Sequence, residues 1–344
     1  MAQDRREDFV RVLDLGPMPE MLRSHVGARS VERVFRAQDV PPALLNDPLQ
    51  PMPLRDFCGL HEWAVRVAGD PAFGIELANS FEIEQLGPLG FFLSQAPNFG
   101  AMIRRGHRTL ALHHSTGTVD LTIEGGAARY TYSSRLGSLL GKRYVGMRAI
   151  FTLLTLARHF IGAKWLPDGI EVEYSKGADG AAFENQFGVP VIYDCAAFAL
   201  TFPREYLDAQ NPAPPPLRNR MTVHELAHSL RVQPPRTISE ATRTVLAIRL
   251  LEGEGDIEGT ASKLGLGPRT LQRRLREEGT SYRSMLSTVR LERALSLLKE
   301  SAEPIEAIAR SLGYAATSHF TRAFTQWTGA PPSRVRRQHR QAVS

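Results

Sequence analysis

The sequence predicts an α+β domain followed by an all-α domain built on two helix–turn–helix units. Three observations carry this. The first 200 residues mix two-residue and 3.6-residue apolar periodicities. A proline cluster follows at 208–220, "DAQNPAPPPLRNR". Beyond 237 the chain reads as helices only, and one helix–turn–helix pattern occurs there twice.

Taken in order, "LRDFCGLHEWAVRVAGD" (54–70) and "FGAMIRRGHRTLALHH" (99–114) read as helices. "TVDLTIEGGAARYTYSS" (118–134) alternates on both sides of Gly125-Gly126, which predicts a hairpin. "YVGMRAIFTLLTLARHFIG" (144–162) is an apolar helix. "GIEVEYS" (169–175), "VPVIYD" (189–194) and "AFALTF" (197–202) are further strands. Nothing here forms a catalytic arrangement, and Phe91, Phe92, Phe99, Phe151 and Phe160 read as core.

Pro212, Pro214, Pro215 and Pro216 cannot continue a helix or a central strand, and "QPPRT" (233–237) is a second break. Between them "LRNRMTVHELAHSLRV" (217–232) is a short amphipathic helix. The expected domains are therefore 1–208, a linker over 209–236, and 237–344.

In the last part, "DIEGTASKLGLGPRTLQRRLREEGTSY" (256–282) parallels "PIEAIARSLGYAATSHFTRAFTQWTGAPP" (304–332). Ala261-x-x-x-Gly265 recurs 48 residues later as Ala309-x-x-x-Gly313. Leu271, Arg273 and Leu275 recur 49 residues later as Phe320, Arg322 and Phe324. The alanines allow two helices to approach, and the glycines permit the positive φ that closes the first helix. This places helix–turn–helix units at about 256–279 and 304–329, joined by a helix over 284–301, "SMLSTVRLERALSLLKES". With Leu271, Leu275, Phe320 and Phe324 inward, the outer faces carry Arg269, Thr270, Gln272, Arg273 and Arg276, then Thr317, Ser318, His319, Thr321 and Arg322. Arg and Gln read base edges bidentately, and Ser and Thr suit base or phosphate. A rigid spacer could hold two such helices about 34 Å apart, one groove repeat.

Charge agrees. Residues 237–344 hold 17 Lys/Arg against 11 Asp/Glu, the whole of the net +6, while the rest of the chain is balanced. A neutral body with a basic end domain fits a polyanion partner. No apolar run reaches the roughly 20 residues of a membrane span. The opening "MAQDRREDFVRVL" lacks a signal peptide's apolar stretch, so a cytoplasmic place, at the nucleoid when DNA-bound, is expected. Cys58 and Cys195 fit no disulfide framework or CxxC site and read as small apolar residues.

The last part resembles the C-terminal DNA-binding domain of the AraC/XylS family of bacterial transcription regulators. Both A-x-x-x-G turns, "RTLQRRL", "SHFTRAF", "VRLERALSLL" and "TGAPPSRVRR" carry the likeness over about 237–340. The resemblance implies base contacts by Arg269, Gln272 and Arg273, then by His319 and Arg322, with Thr317 and Ser318 near the backbone. "VPPALLNDPLQPMPL" (40–54), "GDPAFGIELA" (69–78), "LGPLGFFLSQAPNFGAMIRRGHR" (86–108) and "FENQFGVPVIYD…FALTFPREYLD" (183–208) resemble the regulatory domain of the branch grouped with ornithine- and arginine-utilisation regulators. The implied function is an effector-responsive activator binding promoter DNA, without enzymatic activity. RNA polymerase, a small-molecule effector and a second copy of the chain are the implied partners, the last through a dimerisation helix in the linker.

Three local patterns compete with this. "HELAH" (224–228) matches the H-E-x-x-H of zinc metalloproteases, with His224 and His228 as ligands and Glu225 as base. That would make the protein a peptidase. The third ligand such enzymes require does not follow at the required spacing, and Pro234-Pro235 ends the segment, so no catalytic or metal residue is assigned. "RRGHR" (104–108) with "DLTIEG" (120–125) faintly resembles cyclic di-GMP elements. Arg104 and Arg108 would grip phosphates and Asp120 a guanine, although Thr122 stands where that pattern has serine. His107, His113 and His114 could suggest metal sensing, but no Cys or carboxylate accompanies them at ligand spacing.

Overall fold

The computed structural model describes residues 7–343 except Pro71, Thr116, Arg135, Leu136, Ser138, Ala178 and Asp179. The chain divides into two compact units, Asp8–Pro234 and Pro235–Ser344. The division falls at the second proline break, so residues 209–234, expected as linker, are part of the first unit.

In the first unit, β1 (Phe9–Arg11) pairs antiparallel with β2 (Pro51–Pro53) around α1 (Met18–Val26) and α2 (Ser30–Ala37). Then come α3 (Leu54–Ala68), α4 (Ala72–Asn79), α5 (Pro88–Ser94) and α6 (Phe99–Thr109). β3 (Thr118–Glu124) and β4 (Ala127–Ser133) form the expected hairpin, turning at Gly125-Gly126 with Gly125 at φ +58°. After α7 (Lys142–Ile161) follow β5 (Gly169–Glu171), α8 (Gly180–Phe187), β6 (Val191–Ile192) and β7 (Phe198–Pro203). The five-stranded sheet has the order β3-β4-β7-β5-β6, antiparallel except between β5 and β6. Its buried residues Ala128, Tyr130, Phe198, Leu200 and Phe202 join α6 and α7 in an aromatic core where Phe99 meets Tyr130, Phe160 and Phe202. Phe92, Phe99, Phe151 and Phe160 are core, as expected, but Phe91 is 53% exposed.

The helix expected over 217–232 is shorter. A separate 3-10 turn spans Leu217–Asn219, and α9 covers only Val223–Ser229. Thr222 caps its start, and Arg231 at φ +52° prevents continuation.

The second unit is entirely helical among its described residues: α10 (Ile238–Arg249), α11 (Ile257–Lys263), α12 (Pro268–Glu277), α13 (Tyr282–Glu300), α14 (Ile305–Ser311), α15 (Thr317–Thr328) and α16 (Pro332–Val343). Ala261 and Ala309 are buried, and Gly265 and Gly313 have φ of +65° and +75°. Phe320, Phe324, Ile308, Leu312 and Leu298 make the core of the second helix–turn–helix. Leu246, Leu250 and Val289 fasten α10 to α13.

Candidate functional site

Burial orients both recognition helices. Leu271 and Leu275 are fully buried, which turns Arg269, Gln272, Arg273 and Arg276 to solvent, with Thr270 half-buried. Phe320 and Phe324 do the same for α15, leaving Ser318, His319 and Arg322 exposed and Thr317 half-buried. Arg273 pairs with Glu277 one turn on, and Arg276 Nε donates to the Gln272 carbonyl at 3.2 Å. Exposed pairs of this kind contribute under about 1 kcal/mol, so the arginines are available to an anionic partner. Gln326, exposed one turn beyond Arg322, extends this surface, and Arg334 and Arg337 are exposed on α16. Gln326 was legible from i, i+4 spacing, whereas α16 was not resolved as a helix by pattern alone.

The units are held by polar locks. Arg249, 7% exposed, reaches Asp256 at 2.6 Å and Glu254 at 2.8 Å, and Asp256 caps α11 through the Gly259 amide. Tyr282 OH donates to the Asp256 carbonyl at 2.7 Å and meets Thr260 Oγ1 at 2.9 Å, fixing α13 against α11. The Glu278 carboxylate accepts from the Ile238 and Ser239 amides at the start of α10. α13, 19 residues long, is a continuous strut of about 28 Å at 1.5 Å per residue.

HELAH lies on α9, and its glutamate is already committed. Glu225 Oε2 accepts from the Thr222 amide at 2.7 Å and from Thr222 Oγ1 at 2.9 Å, while Thr222 Oγ1 receives the Glu225 amide. This is a reciprocal cap, and these hydrogen bonds hold the Glu225 carboxyl below its ordinary range. The sequence signal was "TVHE", the S/T-x-x-E pattern. Among the described residues no third His, Cys, Asp or Glu joins His224 and His228 in a metal-sized group.

The structure does bring Arg104, Arg108 and Asp120 together. With Ile103, His107 and Leu121 they line an open groove of about 450 Å³ between α6 and β3. His107 Nδ1 donates to the Val119 carbonyl at 2.7 Å and lies 3.9 Å from Asp120.

A second cavity, of about 70 Å³, lies inside the same unit and was not legible in the sequence. Its wall is mainly Leu89, Leu93, Leu110, Val145, Leu153 and Leu156, with His113, His114, Tyr132 and Arg148 as polar groups. Asp14, from a 3-10 turn at Val12–Leu15, joins the two histidines, which correct the expectation that no carboxylate accompanies them. His113 Nε2 donates to Asp14 Oδ1 at 2.9 Å, and His114 Nε2 donates to Oδ2 at 3.0 Å. Tyr132 OH reaches His114 Nδ1 at 3.3 Å. Burial would raise the Asp14 carboxyl, but the two histidines outweigh it and hold it well below the usual carboxylate range. Burial lowers His113.

Asp14, His113 and His114 offer three metal-type donor atoms within 4.8 Å of one another. The charges around them disfavour a cation. Both Asp14 oxygens are engaged, and Arg148 Nη2 lies 3.9 Å from Oδ1. Arg148 itself is only 8% exposed, stacked over Phe81 at 4.7 Å and Phe57 at 5.3 Å. Its Nε and Nη1 have no hydrogen-bond acceptor among the described residues. Two ring faces return roughly 1–4 kcal/mol, against several for desolvating a cation.

Arg11 is fully buried and connects this region to residues 230–232. Nη1 donates to the carbonyls of Leu49 at 2.5 Å and Leu230 at 3.2 Å, and Nη2 to those of Leu112 and Val232 at 2.8 Å each. Burial lowers its pKa to about 10, still a cation at neutral pH. Gln95 adds a second tie by accepting the Met221 amide at 2.8 Å. The expected dimerisation helix is thus docked on its own unit, with Leu226 and Leu230 fully buried and Val223 and Val232 exposed.

Comparison with known proteins agrees with these features. Residues 29–211 match the family described as the arabinose-binding domain of AraC transcription regulators, N-terminal, and residues 260–338 match a helix-turn-helix domain family. The ornithine utilization regulator of Pseudomonas aeruginosa is 29% identical over 316 residues, 89% of this chain and 91% of that protein. An uncharacterized HTH-type transcriptional regulator of Mycobacterium tuberculosis is 26% identical over 324 residues, 89% of this chain and 90% of its own. The crystal structure of transcriptional regulator CdpR from Pseudomonas aeruginosa matches at 22% identity and a TM-score of 0.42, covering 90% of this chain and 97% of that one. No helix among the described residues is long and apolar enough to cross a membrane. With a family match over more than half its length and a tandem helix–turn–helix unit behind it, the chain belongs to the AraC family of DNA-binding transcription regulators.

Proposed function

We propose that this regulator activates transcription from promoters it reads through both recognition helices, and that a small molecule in the N-terminal unit sets its activity. The observation that carries the reading is the pair of outward faces, Arg269, Thr270, Gln272, Arg273 and Arg276, then Thr317, Ser318, His319 and Arg322, on helices that precede and follow the single continuous helix α13. Arg273 and Gln272 on the first face, and Arg322 and His319 on the second, read bases in consecutive major-groove segments. The protein acts by binding rather than by catalysis, in the cytoplasm at the chromosome, as a homodimer that contacts RNA polymerase. Selection of genomic fragments by the purified protein, followed by footprinting, tests this. Two adjacent protected groove faces, lost in Arg273→Ala and Arg322→Ala, are the expected result. Protection of one face, unchanged in Arg322→Ala, overturns the double reading.

A second effector reading concerns cyclic di-GMP, favoured by the convergence of Arg104, Arg108 and Asp120 on one groove. Calorimetry with the dinucleotide and Arg104→Ala checks it. Absent binding, or binding indifferent to that change, removes it.

A further inference from the structure

We propose that the internal cavity at Arg148 is a binding site for a short-chain monocarboxylate, and that this anion is the regulator's effector. The proposal rests on the reading of the N-terminal unit as a sensor and names its ligand class.

Charge gives the first part. Arg148 is buried among Phe57, Phe81 and aliphatic wall residues, and an arginine does not neutralise itself by losing its proton. Asp14 stands beyond hydrogen-bond length from it, and both Asp14 oxygens already receive donors from His113, His114 and the Arg11 amide. The guanidinium therefore keeps Nε and Nη1 without an acceptor among the described residues. Nη2, itself 3.9 Å from Asp14, shares one edge of the planar guanidinium with Nε and the other with Nη1, and a carboxylate matches either edge by taking two parallel N–H donors.

The wall gives the second part. Away from Arg148, His113, His114 and Tyr132, the wall of Leu89, Leu93, Leu110, Leu153 and Leu156 offers no partner to a hydroxyl or ammonium group, so the part of the ligand against it is hydrocarbon. An apolar cavity of about 150 Å³ accepts benzene. One of about 70 Å³ has roughly half that room, enough for a hydrocarbon tail of about three carbons. Propionate and butyrate carry tails of this size, whereas nucleotides and sugars are excluded.

Calorimetry and thermal melting of the full-length protein with sodium butyrate, without DNA, test the site. Butyrate is expected to bind one per chain and raise the melting temperature, with butyramide and butylamine at least about tenfold weaker. Arg148→Met should abolish binding. Ala149→Leu, which fills the cavity while keeping the arginine, should do the same and covers the case that Arg148→Met fails to fold. Butyramide binding as well as butyrate would overturn the anion, and tighter binding of octanoate would overturn the size. No binding of propionate or butyrate, or binding unchanged in Ala149→Leu, overturns the site itself. Stoichiometric Zn²⁺ uptake lost in His113→Ala would assign the cluster to a metal instead. Footprinting with and without butyrate is scored separately, so a failed carboxylate site leaves the DNA reading standing and the reverse also holds.

Discussion

The Arg11 amide donates to Asp14 Oδ2 at 3.0 Å, so two buried charges with different tasks share one turn. Asp14 anchors the cavity histidines, while the Arg11 guanidinium holds the Leu230 and Val232 carbonyls just before the boundary at Pro234. A ligand that moves Asp14 has a physical route to the segment leading into the DNA-binding unit. Coupling needs an element with two arrangements, and residues 230–234 are the candidate.

Arg11→Met should therefore do more than destabilise. Four carbonyls lose a charged donor, which costs about 3–5 kcal/mol in the N-terminal unit. Hydrogen exchange should show earlier opening of residues 226–232 than of the sheet. Arg11→Lys, with its charge kept but its planar fork lost, should fall between. If residues 226–232 exchange as slowly in Arg11→Met as in the parent, the guanidinium is not what holds them.

On the DNA side, Arg273→Ala should cost about 1–3 kcal/mol at the selected site and relax sequence choice there. Scrambled DNA should be affected far less, since the loss is of base reading. Arg334→Ala, on α16 beyond both recognition helices, should weaken both DNAs alike and reduce the salt dependence. Equal losses from Arg273→Ala on both DNAs would move that residue to the backbone class.

Glycines at the same φ separate steric from torsional cost. Gly313 and Gly279 both sit at φ +75°, but a Cβ at Gly313 would meet the Gly253 carbonyl, whereas nothing lies within 4 Å at Gly279. Gly279→Ala should lose about 1 kcal/mol. Gly313→Ala must also push the second turn away from Gly253 and should lose at least twice that by chemical denaturation. Equal losses would show that the backbone at Gly253 yields freely.

Why the helical unit was legible and the cavity was not follows from where the information lies. Ala261, Gly265, Leu271 and Leu275 specify a turn within fifteen residues, and their repetition at Ala309, Gly313, Phe320 and Phe324 confirms it internally. Asp14 is 99 residues from His113, and Arg148 comes from a third element, so no local spacing joins them. Arg11 is similarly hidden, since its partners are carbonyls, which carry no side-chain signature. α1, α2, α4, α5 and α8 are short, and packing more than periodicity decides such segments. HELAH shows the opposite failure. A five-residue match suggested zinc chemistry, while "TVHE" across the same residues was describing a helix cap.

That cap gives a direct test of the motif. Glu225→Ala should lose about 0.5–2 kcal/mol of local stability at α9, as cap removal does elsewhere. His224→Ala with His228→Ala should leave the protein's zinc content and its DNA binding unchanged in the presence of a chelator. Stoichiometric zinc, lost in the double variant, would restore HELAH as a metal site.

Acid should unfold the two units differently. His61 is buried, with Nδ1 donating to the Phe57 carbonyl at 2.9 Å, and burial lowers its pKa to about 4. The unfolded chain regains an ordinary imidazole near 6.5 and takes up a proton the folded unit refuses. Stability is therefore full above about pH 6.5 and declines as the pH falls toward 4, by about 1.4 kcal/mol per pH unit. His113, lowered by the same burial, acts in the same direction. Asp14, held low by the two histidines, weakens the fold only below its ordinary carboxylate range. The helical unit has only His319, exposed, and His339, half-buried. Burial pushes the Glu173 carboxyl up to about 7, which favours the folded unit as the pH falls and opposes the histidines. With Glu173→Gln as the background, calorimetry at pH 7.5 and pH 5 should show the N-terminal transition moving to lower temperature while the C-terminal one moves much less. His61→Gln should flatten the first shift, because glutamine can donate to Phe57 without titrating. A parallel shift of both transitions would mean that general charge repulsion, and not the buried imidazoles, governs acid stability.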